Sequence, residues 1–89
     1  MSEIRQIIQK GERAEQVLKN PVFEDALLGM KMRIFDELRM TKLEDVEQRE
    51  HLHQLMRSAD IFEGELKKYL NAMTAEKAKL NKKQAKRII

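Results

Sequence analysis

Seven residues near the middle of this chain fix most of what it can become. Leu52, Leu55, Ala59, Phe62, Leu66, Tyr69 and Met73 follow one another in alternating steps of three and four. That spacing lays an apolar seam along one face of a long helix, as in coiled-coil packing. A strand cannot use it, because side chains two apart share a strand face. Sparse valine and isoleucine, a single proline and 4% aromatic residues leave little material for a sheet.

The punctuation marks further helices. Ser2 can cap a first helix whose broad apolar face carries Ile4, Ile7, Ile8, Ala14, Val17 and Leu18. Gly11 lies on that same face, either as a tolerated helical glycine or as a point where another helix comes close. Asn20-Pro21 reads as an N-cap followed by a proline at the first helical position. The second helix then presents Phe23, Ala26, Leu27, Met30, Ile34 and Leu38, while Met32 and Phe35 lie off the centre of that stripe and suggest contact on a second side. Thr41-Lys42-Leu43-Glu44 has capping-box spacing and predicts that the third helix starts at once. So short a connection favours an antiparallel helical hairpin.

The expected fold is therefore all-α, with three helices at about 3–19, 21–40 and 42–80. They form a helical hairpin with a long C-terminal helix extending into a basic tail. Residues 1–76 form one domain and residues 77–89 a basic arm. At 1.5 Å per residue the second helix is about 28 Å long and the third about 55 Å, so the second covers only the first half of the seam. The remainder, beyond about Phe62, needs either the first helix or another chain. On the second alternative Phe62, Leu66, Tyr69, Leu70 and Met73 carry a protein interface, in a homo-oligomer or against another structural protein.

Charge is unevenly distributed. Residues 1–76 sum to −3, whereas 77–89 carry Lys77, Lys79, Lys82, Lys83, Lys86 and Arg87 with no acid, for +6. Such an arm suits sequence-blind contact with DNA or RNA phosphates, or an acidic protein surface anchored by Leu80, Ile88 and Ile89, or simple solvation. No aromatic residue follows Tyr69, which argues against base stacking.

Little else points to chemistry. His51 and His53 are two apart on a helix and cannot share a metal face. The acids at Glu24/Asp25, Asp36/Glu37, Glu44/Asp45/Glu47 and Glu63/Glu65 read as solvated helix residues. There is no cysteine, no Gly-rich phosphate loop and no nucleophile beside a base. The expectation is a non-enzyme with no catalytic, cofactor-binding or metal residues and no cofactor. The sequence also offers no apolar run of about 20 residues for a membrane span. It reads as soluble and intracellular.

The run Gly11-Glu12-Arg13-Ala14-Glu15-Gln16-Val17-Leu18-Lys19-Asn20-Pro21-Val22-Phe23 resembles a small helical protein family of tailed bacteriophages and prophages. The similarity continues more loosely through Asp45-Val46-Glu47-Gln48-Arg49-Glu50 to Tyr69. Members are often encoded among virion-assembly genes. The resemblance implies a phage setting, with a site of action in the host cytoplasm during assembly or in the virion. It brings no catalytic residues, and the lysine-rich end lies outside the matched region. The reading is a virion or particle-assembly protein acting by self-association or partner docking. The alternative is a small nucleic-acid-binding accessory or regulatory protein, including an inhibitor of host defence.

Overall fold

The computed structural model describes residues 2–88, with side chains for residues 3–83. Three helices follow in order: α1 (Ser2–Lys19), α2 (Pro21–Met40) and α3 (Val46–Ile88). The proposed Ser2 cap, the side chains of Lys86, Arg87 and Ile88, and all of Ile89 lie outside the described residues. The contacts sort the chain into two compact units, Met1–Lys19 with Glu65–Ile89, and Asn20–Gly64. Helix α3 contributes to both.

Asn20 separates α1 from α2 as the sequence suggests. It has an extended backbone, with φ −68° and ψ 122°, and Pro21 opens the new helix. The Asn20 Oδ1 accepts hydrogen bonds from the amides of Val22 at 2.9 Å and Phe23 at 3.2 Å. Two amides at the start of α2 are thereby satisfied, and proline at the first position adds none.

The next junction differs from the expectation. Thr41 does not start α3; it ends α2, where its hydroxyl donates to the Leu38 carbonyl at 2.7 Å. It is extended at φ −74° and ψ 147°. A turn follows, closed by the Asp45 amide on the Lys42 carbonyl at 3.0 Å. The Asp45 carbonyl then accepts from the Arg49 amide, beginning the α3 ladder. Asp45 and Gln48 have the same spacing as Thr41 and Glu44, so the sequence offers two places for α3 to begin and the chain takes the later one. Geometry decides between them: one non-helical residue cannot reverse the chain, whereas helical hairpins use two to about five. Arg49 ties the two sides of the turn together, its Nη1 donating to Thr41 Oγ1 at 3.0 Å.

Within Asn20–Gly64, α2 runs antiparallel to the first part of α3. Thr41 meets Arg49, Lys31 meets Asp60 and Glu63, and the rings of Phe23 and Phe62 lie 6.4 Å apart. Ile34, Leu52 and Ala59 are buried there, with Phe23, Leu27, Leu38 and Leu55 half-buried. The buried stripe of α2 is shifted from the expected one. Ala26 and Met30 are exposed, and Lys31 takes the inward position instead. A lysine can do so because its aliphatic stem covers apolar surface while the ammonium reaches a carboxylate.

In the other unit, α1 packs on the second part of α3. Ala14 and Met73 are buried, and Gly11 marks the closest approach. A Cβ on Gly11 would collide with Met73 Cβ and lie 2.9 Å from the Tyr69 carbonyl oxygen. Neither obstacle is a movable side-chain tip. Of the two readings of Gly11, the close approach is the one realised.

The three glycines should respond to alanine with opposite signs. At Gly29 and Gly64 an added Cβ meets nothing within 4 Å. Each of those substitutions should stabilise the protein by about 0.5–1 kcal/mol through helix propensity. Gly11→Ala gains the same propensity but is overpacked by about 1–3 kcal/mol, so the net effect is destabilisation of about 1–2 kcal/mol. Urea unfolding followed by circular dichroism measures all three. A stabilised Gly11→Ala protein would refute the tight α1–α3 contact.

Candidate docking surfaces

The residues expected to form an interface on α3 are spread over different environments. Met73 is 4% exposed and is occupied by the contact with α1. Leu66, Tyr69 and Leu70 are half-buried. Phe62 is 56% exposed, although its ring leans towards Phe23. Tyr69 also carries the Lys10 ammonium 4.2 Å from its ring centroid, a cation–π contact between α1 and α3. The first helix therefore lies against the second part of the seam, the intramolecular alternative of the two. Of the methionines placed on the apolar stripes of the second and third helices, Met73 is buried and Met30 exposed.

Exposed apolar surface is concentrated elsewhere in Asn20–Gly64. Leu28, Met32 and Phe35 are 58%, 57% and 54% exposed and share one flank of α2. The off-centre placement of Met32 and Phe35 was legible in the sequence; Leu28 belongs with them by its spacing of four and seven. Beside this flank, Lys31, Met32, Phe35, Asp36, Arg39 and Met56 line a groove of about 440 Å³. At the hairpin turn Met40, Leu43 and Val46 are also exposed. Among the described residues, thirteen large apolar side chains are exposed against five buried apolar ones, two of them alanine. Single exposed leucines are ordinary, whereas a run of exposed apolar residues along one helix flank is not.

The basic arm is helical, since α3 continues through Ile88. Lys77 lies 3.9 Å from Glu12 of α1, and Lys79 lies 3.5 Å from Glu76 on its own helix. Lys82 and Lys83 are exposed, as is Lys79. At spacings of three and four these last three share one helix face. The arrangement can gather several positive charges against an anionic surface.

His51 and His53 are both exposed. Among the described residues no group of three or more His, Cys, Asp or Glu side chains is placed to hold a metal ion. Among the described residues no helix is long and apolar enough to cross a membrane. Comparison with known proteins finds no matching family, no matching curated protein and no matching solved structure.

The interhelical ion cluster was not visible in the sequence, because Lys31 lies about thirty residues from both of its acids. Lys31 Nζ lies 2.8 Å from Glu63 Oε1 and 3.5 Å from Asp60 Oδ1. Its pKa is raised above the ordinary 10.5, chiefly by the hydrogen bond to Glu63, against partial desolvation that lowers it. A raised folded-state value means the stabilisation is complete below pH 10.5 and is lost as pH rises through the folded value. Wild type should exceed Lys31→Met in stability through neutral pH, and the gap should narrow only above that lysine range. A gap unchanged between pH 8 and pH 11.5 would assign the role of Lys31 to its stem alone.

Proposed function

We propose that this chain is a non-enzymatic helical protein of a tailed bacteriophage, acting as a virion component or in particle assembly. It works by self-association or by docking on another structural protein. Its basic arm contacts packaged nucleic acid or an acidic protein surface. The observation that carries this reading is the imbalance of apolar surface: exposed large apolar side chains outnumber the buried ones, and several line one flank of α2. A chain whose work was done by a buried pocket would not need that exposure. The phage setting rests on the resemblance of residues 11–69, and the site of action is the host cytoplasm during assembly or the particle itself.

A second reading is favoured by the arm alone. A small nucleic-acid-binding accessory or regulatory protein, including an inhibitor of host defence, would present the same exposed Lys79, Lys82 and Lys83. The two readings differ in what the lysines are for. In the first they reinforce an assembly that apolar contacts already hold. In the second they are the whole of the binding energy.

Sedimentation of the full chain with and without duplex DNA, at 50 and 200 mM salt, separates them. Four to six contacting cations would weaken DNA binding by about a hundred- to a thousandfold over that range. The triple variant Lys79→Gln/Lys82→Gln/Lys83→Gln should lose DNA or acidic-partner binding and keep its self-association. Loss of both together supports the second reading, and a protein that neither associates nor binds anions contradicts both.

A further inference from the structure

The exposed flank of α2 has an order that a second copy of this chain can read. Asp25, Leu28, Met32, Phe35 and Arg39 follow in steps of three, four, three and four, so they form one straight stripe. The stripe is acidic at one end, apolar through the middle and basic at the other. Its three apolar members are each more than half exposed, and Arg39 and Asp25 are exposed as well. The inward stripe of α2, made by Phe23, Leu27, Lys31, Ile34 and Leu38, faces α3 and leaves this flank free of the hairpin contact.

We infer that α2 pairs with α2 of a second copy, antiparallel, about a two-fold axis at Met32. This inference rests on the self-association part of the reading above and supplies its surface and register. In that register Met32 meets the same residue of the other copy. Leu28 falls opposite Phe35, and Asp25 falls opposite Arg39, at both ends at once. A two-fold interface requires such self-complementarity, in which one residue meets another and the reverse contact repeats it. A parallel pairing would set Asp25 against Asp25 and Arg39 against Arg39, and like charges facing each other disfavour it.

The local structure suits the register. The groove between Met32, Phe35, Met56 and Arg39 opens beside the stripe, and Leu28 of the other copy enters it next to Phe35. Arg39 already leans towards Asp36 at 3.9 Å, a long and exposed pair that leaves the guanidinium donors for a second carboxylate. Asp25 of the other copy arrives on that side. An interface built on one helix face is small, below about 1,200 Å² in total, so a dissociation constant of about 1–100 µM is expected.

The test uses the full chain. Analytical ultracentrifugation of wild type should show a reversible monomer–dimer equilibrium in that range. Met32→Glu places two carboxylates together on the axis and should raise the dissociation constant about 30-fold or more. Its helix content and urea midpoint should be unchanged, because Met32 is 57% exposed. Asp25→Arg and Arg39→Asp should each weaken the dimer several-fold, and the double variant should recover it. The chain has no cysteine, so Met32→Cys should cross-link to itself under mild oxidation, while Ile61→Cys on α3 should not. A monomer at 500 µM, a dimer indifferent to Met32→Glu, or a charge-swapped double variant no better than the singles would each overturn the proposal. A dimer that forms normally in the triple lysine variant supports the inference whether or not the arm binds nucleic acid.

Discussion

Burial against α3 is the interaction on which α1 and α2 depend. An isolated helix of 18 or 20 residues is marginal in water, because nucleation is costly and propagation gains little per residue. Each of the two shorter helices therefore holds its conformation through one apolar stripe laid on the long one. The two contacts are built differently. On α1, Gly11 and Ala14 remove side-chain volume and let the backbone come close to Met73 and Tyr69. On α2, full-sized Ile34, Leu27 and Leu38 make up the inward stripe, and the small buried residue of this unit is Ala59 of α3. A helix pair needs small residues on at least one side where the axes approach most closely.

Register is a separate problem from burial, since a seam of similar apolar residues permits sliding by a heptad. Specific polar contacts remove that freedom. Lys31 between Asp60 and Glu63 sets α2 against α3 at mid-length, and Arg49 on Thr41 sets it at the turn. Lys10 over Tyr69 acts similarly for α1. None of these contacts is deeply buried, so each contributes modestly to stability. Their value lies in discrimination: a slip of one heptad would leave Lys31 without its acids and Thr41 without Arg49.

The features legible in the sequence were those encoded locally. Asn20-Pro21 announced a cap and a first helical residue within two positions, and the alternating steps from Leu52 to Met73 announced the seam. The start of α3 was misread because Thr41-Glu44 and Asp45-Gln48 satisfy the same local rule, and only the need to reverse the chain chooses between them. The stripe of α2 departs from the expected one where a charged residue turns inward. Lys31 faces α3, and the residues that answer it, Asp60 and Glu63, lie about thirty positions away. Gly11 was ambiguous for a related reason: whether a glycine is idle or essential depends on which residue lies opposite, and Met73 could not be paired with it from spacing alone.

Helix α2 thus departs from the usual patterning on both of its faces. It turns Lys31 towards α3 and leaves Leu28, Met32 and Phe35 in water. Both choices cost free energy in a lone chain. Partial desolvation of an ammonium is unfavourable until carboxylates offset it, and each half-exposed apolar side chain forgoes about half of the 1.5–3 kcal/mol that full burial provides. A sequence shaped only for the stability of one copy would make neither choice. Local rules of patterning are broken chiefly where a surface has a task beyond folding. The Glu63–Lys31 contact explains the inward lysine by a partner within the chain. By the same logic the outward Leu28, Met32 and Phe35 support the proposed partner outside it, and under that proposal the opposite charges at the two ends of their stripe favour a second copy with the stripe reversed.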